Sequence, residues 1–411
     1  MRIDRTATDG LPALRPESQS WVDASSPHRP LLDWRELVIK SMHYTGVLHL
    51  ARRLAKSHQI HPDSSFSFPR FERVMTPKFV ILCYHGIGES GNPLGVAPTR
   101  QLFQAQMRYL RENYRVVSLD EICRELGSGV KSEPGVAITF DDGYRSSYTV
   151  AFPILQKYRL PATIYVTIES VETGQVAWYD RVFLAMAVAP SGALQLDFDS
   201  PCRFQLNSPV DRLRAALELV ALLRTLSNSE RRKCCALLER KIGLPQNALS
   251  SRVLTWEEIL TMHQAGIAFG SHTLTHPVVS QLTHQELEQE LGSSKCLLEK
   301  KLGIPVLDFA FPFGKASDRS PLALEILSRF GYRSAVTTVA GVNTPHVNPF
   351  ELRRLQVGSN GSLARFAFDL GRAFLRADEV GALDVSLVGS AGPQPVHRPA
   401  SIGGALEDPD A

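Results

Sequence analysis

Two short clusters of ionisable residues have the composition of a hydrolytic centre. In VAITFDDGY, the apolar run Val136–Phe140 ends in Asp141-Asp142-Gly143. Adjacent carboxylates repel, so a cation or a proton is needed to keep both. Gly143 permits the sharp turn that aims them. An Asx turn, or an N-cap for a helix starting near residue 146, accounts for the same three residues about as well. In IAFGSHTLTHP, His272 and His276 lie four positions apart. That spacing suits one helical face, but Pro277 disfavours helix at His276, so both belong on a strand-end loop. Neutral imidazoles are good ligands for zinc and neighbouring divalent metals, and a pair at such a place favours a metal over two structural histidines. Two histidines and one carboxylate make a facial set with open positions. A metal there lowers the pKa of its water towards ~7 and polarises a carbonyl, and a second carboxylate can serve as general base. A non-haem iron oxygenase uses similar ligands, but does not need the second aspartate.

The flanking text must place these clusters together. From residue 79, β-rich runs at 79–85, 136–140, 162–167, 267–271, 308–313, 332–338 and 352–357 alternate with helical patterns. The helices are expected at about 100–112, 118–126, 146–158, 256–264, 283–301, 319–330 and 361–375. Alternation of this kind predicts a parallel sheet, and seven strands in one series favour a closed or nearly closed α/β barrel. Both clusters then fall at C-terminal strand ends, where barrel active sites sit. Residues 171–252 interrupt the series and read as a mainly helical insertion, with helical runs at 210–225 and 228–241.

Composition bounds the rest. The chain has 411 residues and is 44% hydrophobic, enough for one large domain with insertions. The formal net charge of +3 is too small to point to nucleic acid. None of the six cysteines forms a CxxC pair, and the adjacent Cys234 and Cys235 lie in a helical pattern that argues against a metal or redox role. Residues 1–33 read as a disordered leader, 34–78 as an amphipathic helix (34–56) with a linker, and 376–411 as a disordered tail. The helix 34–56 ends in Arg52, Arg53 and Lys56. Packing on the main domain is its favoured reading, and contact with an anionic membrane surface is the alternative. The N-terminus lacks the apolar run of a secretory signal, and no stretch reaches roughly 18 apolar residues. The expectation is a cytoplasmic protein, or one peripheral to the membrane.

TFDDGY, SHTLTHP and FAFPFG, in that order, resemble three motifs of the polysaccharide deacetylase family (carbohydrate esterase family 4, the NodB homology domain), and YHGIG at 84–88 resembles its first strand. The resemblance covers roughly residues 79–375, interrupted by the insertion. It implies a distorted (β/α) barrel of about seven strands and metal-dependent N-deacetylation of an N-acetylated sugar polymer. It implies Asp141 as general base, and Asp142, His272 and His276 as ligands of one divalent metal, zinc first, with cobalt, nickel or manganese as alternatives. It also implies that the Tyr144 backbone helps hold the oxyanion and that Pro312, Phe313 and Gly314 line the substrate groove.

Two departures matter. The arginine that orients the aspartate in many members is replaced by Ala310, and Arg353 or Arg354 in ELRRLQV is the candidate substitute. We expect Arg354 to join the catalytic set by pairing with Asp141. The last motif, RLQVGSN, lacks the usual acid histidine. His346 reads as a loop residue, and His85 more readily as a structural histidine than as the acid. Trp178, Tyr179 and Trp256 are candidate sugar-stacking residues, with ordinary packing preferred. Two other functions stay open: hydrolysis of a small-molecule amide or imide, and carbohydrate binding without turnover.

Overall fold

The computed structural model describes residues 78–88, 97–128, 132–198, 201–244, 252–358 and 361–376. The expected leader, the amphipathic helix 34–56 and the tail lie outside them.

Seven parallel strands form a nearly closed barrel, in the order β10 (Arg354–Gln356), β1 (Phe79–Tyr84), β3 (Gly135–Phe140), β4 (Thr163–Val166), β7 (Ala268–Ser271), β8 (Asp308–Ala310) and β9 (Ser334–Val336). The two-residue strand β2 (Arg115–Val116) pairs with the start of β3. Between β9 and β10 a parallel bridge joins Val336 to Leu352, with Leu352 N–H donating to the Ala335 carbonyl at 2.9 Å. A right-handed crossover between parallel strands needs an intervening segment, usually a helix. Here the helices are α1 (Arg100–Asn113), α2 (Leu119–Ser128), α3 (Phe152–Tyr158), α4 (Ile168–Thr173), α8 (Trp256–Gln264), α9 (His284–Leu287), α10 (Ser294–Leu302), α11 (Pro321–Arg329) and α12 (Leu363–Arg376), with α5 to α7 in the insertion.

Strand periodicity sorts the side chains into two layers. Phe79, Ile81, Ala137, Tyr165, Ala310, Val336 and Leu352 cluster inside the barrel. Val80, Leu82, Tyr84, Val136, Ile138 and Phe140 face outwards onto Phe103, Met107 and Leu110 of α1. The same alternation turns Asp141, one residue beyond Phe140, back towards the interior. Helix starts follow the sequence. Thr255 and Glu258 close a capping box that opens α8, and Thr283 with Glu286 closes another at α9.

The insertion comprises α5 (Trp178–Val188), α6 (Pro209–Leu223) and α7 (Asn228–Ile242) around its own core, which includes Val182, Phe183, Leu219, Cys234, Cys235 and Leu238. It also holds an antiparallel hairpin, β5 (Ala193–Leu196) with β6 (Cys202–Gln205). The sequence reading missed that hairpin because its strands are four residues each and only two of those residues are buried, so the alternation is short. Other expected elements are also modified. The expected strand 308–313 ends at Ala310, where Pro312, which has no N–H, and Phe313 at φ 57° begin a turn. The expected helices 146–158 and 283–301 each contain a π-helical turn, Ser147–Ala151 and Glu288–Ser293.

Candidate active site

The C-terminal ends of β1, β3, β7 and β8 deliver the site residues to one mouth of the barrel. After β3 the chain turns through two successive left-handed residues, Asp142 at φ 71° and Gly143 at φ 67°. Gly143 is required there: a Cβ would also stand 3.1 Å from Val166 Cγ1. Asp142, a non-glycine residue in that region, carries real backbone strain. Beyond β7, Thr273 at φ 67° and His276 at φ 59° bend the histidine loop in the same way. The loop curls back, as Pro277 requires, and brings both imidazoles to one carboxylate. His272 Nε2 and His276 Nε2 each lie 3.4 Å from Asp142 Oδ1, and all three residues are buried.

The donor set suits a divalent cation. One carboxylate oxygen and two imidazole nitrogens lie within 4.8 Å of one another. His272 Nδ1 lies 2.7 Å from the Ala310 carbonyl, which requires the proton on Nδ1, so in the neutral ring the Nε2 lone pair is the one free for a cation. Burial opposes ionisation of Asp142, but the hydrogen bonds of both histidines outweigh it and hold the carboxyl well below the usual range. Burial also works against the imidazolium at both rings. At His272 the hydrogen bond with Asp142 and the charge of Asp141 prevail and raise the pKa, whereas at His276 burial prevails and lowers it.

Asp141 has a different partner. Arg354 is fully buried and grips its carboxylate bidentately, Nη1 to Oδ1 at 2.7 Å and Nη2 to Oδ2 at 2.5 Å. The guanidinium also donates to Thr139 Oγ1 at 3.2 Å and to the Thr337 carbonyl at 2.7 Å. Strand register explains the reach. Arg354 pairs with Ile81, and Ile81 with Ala137, so the arginine starts below Asp141 and spans upward inside the barrel. Ala310 is buried in that interior. Arg353 is exposed, and its backbone bonds with Asn343. Burial disfavours the Asp141 anion, yet the charge and hydrogen bonds of Arg354 leave its pKa lowered. Cys83 lies behind, its thiol 3.5 Å from Asp141 Oδ2 and pushed up by burial.

The aromatic residues divide. Phe313 and Tyr179 bracket His276, with ring centroids 4.9 Å and 4.8 Å from the imidazole. The turn Pro312–Gly314 is fixed by Gly314, where a Cβ would stand 2.7 Å from Thr338 N. Trp178 is buried, and its indole N–H donates to the His276 carbonyl at 2.9 Å, so it packs and positions. Trp256 instead donates to Glu172 and lies under Lys301. Tyr144 OH donates to Asp180 Oδ2 at 2.6 Å, and burial, reinforced by the Asp142 charge, pushes the Asp180 carboxyl up to about 7.

His85 is the residue that sequence reasoning underrated. It is half-buried beyond β1, with a ring nitrogen within 4.8 Å of both the Asp141 carboxylate and the Cys83 sulfur. Its sequence signals are its place immediately after a strand and within YHGIG. His346 is exposed.

Comparison with known proteins follows the same outline. The polysaccharide deacetylase family model matches residues 128–335. YxkH of Bacillus subtilis (strain 168), a candidate polysaccharide deacetylase, is 26% identical over 69% of this chain and 74% of its own length. The poly-beta-1,6-N-acetyl-D-glucosamine N-deacetylase of Escherichia coli (strain K12) is 40% identical over 70% of this chain, a region that spans only 38% of that protein. Among solved structures, the deacetylase PplD of Streptococcus pyogenes aligns with a TM-score of 0.49 at 22% identity, covering 74% of this chain and 99% of PplD. The family model matches half of the chain and includes both the aspartate turn and the histidine loop, and this chain accordingly belongs to the polysaccharide deacetylase family, whose members are hydrolases.

Proposed function

We propose that the protein removes N-acetyl groups from a β-linked N-acetylglucosamine polymer, releasing acetate and leaving a free amine. The observation that carries this reading is the contrast between two adjacent buried aspartates. Asp142 faces two imidazoles, and Asp141 faces an arginine. Asp142, His272 and His276 would hold the divalent cation, and a zinc-class ion suits an N,N,O donor set. When bound, that cation supplies Lewis acidity at the acetamide carbonyl and makes water easier to deprotonate.

The protein's own groups do the rest. Arg354 keeps Asp141 ionised near neutral pH, so its carboxylate accepts the proton of the attacking water. The Tyr144 backbone N–H, just past the Gly143 turn, donates to the oxyanion. His85 returns a proton to the departing nitrogen. Phe313 and Tyr179 offer apolar faces to the sugar, beside His276. The identity shared with the E. coli N-deacetylase supports the choice of polymer.

The test is acetate release from β-1,6- and β-1,4-linked N-acetylglucosamine oligomers, with zinc supplied or chelated. Zinc-dependent release that is lost in Asp141→Asn and in Asp142→Asn is expected. No release from any oligomer by zinc-loaded protein would overturn the substrate class. Undiminished release by Asp142→Asn would overturn the metal assignment.

A further inference from the structure

The loop between the two histidines is held from both sides by residues the reaction does not use. Glu290 is buried, with 4% of its surface exposed, and lies in the π-helical turn Glu288–Ser293. Its carboxylate accepts from Leu274 N at 2.8 Å, Thr275 N at 2.9 Å and Thr275 Oγ1 at 2.6 Å. A π turn adds a residue to the helical ladder and swings the following side chains by roughly 100°, and such turns recur at functional sites. On the other side, Trp178 of α5 donates to the His276 carbonyl.

The two sides are joined through α7. Asn228 Nδ2 donates to Thr275 Oγ1 at 3.2 Å and approaches Glu290 Oε1 at 3.5 Å. Arg231, 2% exposed, donates to Asn228 Oδ1 at 2.6 Å and lies over the Trp178 ring at 4.9 Å. A buried carboxylate and a buried guanidinium thus share one asparagine, so neither charge is stranded. Glu290, Asn228, Arg231 and Trp178 enclose a loop whose Thr273 and His276 both hold positive φ. Each such residue costs on the order of 1–3 kcal/mol, and persists only where its surroundings over-determine it. Thr273 Oγ1 alone, accepting from His276 N at 2.9 Å, ties the loop within itself.

We propose that Glu290 and Trp178 are positioning residues for His276, so that the insertion and the π turn together set the affinity of the site for its cation. This rests on the metal site proposed above. Groups that orient a metal ligand through one intermediate contact change affinity about 10- to 100-fold when removed. Glutamine at 290 keeps an oxygen for the two loop N–H groups and a donor for Thr275 Oγ1, so it should rescue most of the loss.

The experiment measures zinc Kd by competition with a chromophoric chelator, on full-length wild type, Glu290→Ala, Glu290→Gln and Trp178→Phe, with urea unfolding of each metal-free protein. The expected result is about 10- to 100-fold weaker zinc binding in Glu290→Ala and Trp178→Phe, near wild-type binding in Glu290→Gln, and kcat recovered at saturating zinc. Wild-type zinc affinity in a folded Glu290→Ala or Trp178→Phe variant overturns the proposal. If Glu290→Ala does not fold, Trp178→Phe decides by itself. Asp142→Asn is the control. If it binds zinc as wild type does, the metal site itself is misassigned, whereas its failure to bind beside unaffected Glu290 and Trp178 variants sinks this inference alone.

Discussion

Arg354→Met is the most exposing perturbation of this site. The side chain is fully buried, and its guanidinium is used up on Asp141, Thr139 and the Thr337 carbonyl. Methionine preserves much of the stem and removes the charge. The Asp141 carboxylate is then stranded in the barrel interior, beside the negative Asp142. Breaking a buried pair from one side costs about 3–5 kcal/mol, a large share of a domain's typical margin. The sign with pH follows from the two states of Asp141. In the wild type its pKa is lowered, because Arg354 outweighs burial. That contributes stability present above the ordinary value of about 4, and lost as pH falls through the lowered value. In the variant burial acts unopposed by Arg354, so the carboxyl titrates above its ordinary value and the variant gains stability as pH falls. The gap between the two proteins is therefore widest near pH 8 and narrows towards pH 4. Urea unfolding of metal-chelated protein at pH 8 and pH 5 measures it, and the acid limb of kcat/KM should move up in the same variant. Arg354→Met combined with Asp141→Asn should recover most of the lost stability, since both charges are gone. A single variant within about 1 kcal/mol of wild type at pH 8, a small loss for a buried pair, or an acid limb that does not move, would refute the pairing as the source of the base's ionisation.

Three further outcomes are expected. His85→Asn should lower kcat by about 10²- to 10⁴-fold while zinc Kd stays at the wild-type value, as for a proton donor outside the metal set; an unchanged kcat would remove His85 from the reaction. Asp180→Asn should stabilise the metal-free protein at pH 8 but not at pH 4. A carboxyl raised to about 7 gives the folded state an advantage that is full at low pH and gone above 7. Thermal unfolding across that range reads the effect, which has an upper bound of about 4 kcal/mol before solvent screening, and a pH-independent difference would contradict it. Gly270→Ala should destabilise the barrel by about 1–3 kcal/mol or more through overpacking, because its Cβ would stand 2.5 Å from the Tyr165 ring and 2.7 Å from the Asp308 carbonyl; denaturant midpoints test this, and a neutral substitution would show that the strands can separate there.

Much of this protein is legible along the chain. The strand runs, the capping boxes and the placement of Asp141, Asp142, His272 and His276 at strand ends are local properties, set by side-chain period, turn chemistry and the proline after His276. The barrel follows from alternation, because parallel strands need crossovers. The exceptions were those where pattern is weak, such as the short hairpin at Ala193–Gln205, or where a helix carries an extra residue, as at Glu288–Ser293. What only the tertiary structure decided is who faces whom. The sequence named Arg353 or Arg354 as the partner of Asp141 and expected Arg354; that one meets Asp141 because strand register stacks β10, β1 and β3 with their interior residues aligned. Arg353, one residue earlier, falls on the opposite side of the pleat. His85 enters the site because β1 ends at the same mouth as β3, and Glu290 reaches the histidine loop only through a π turn. Period and propensity fix which face a residue takes on its own element, but long-range pairing and burial determine which charges share a low-dielectric interior. In this barrel that sharing separates two neighbouring aspartates into one that faces a cation's ligands and one that is held ready to accept a proton.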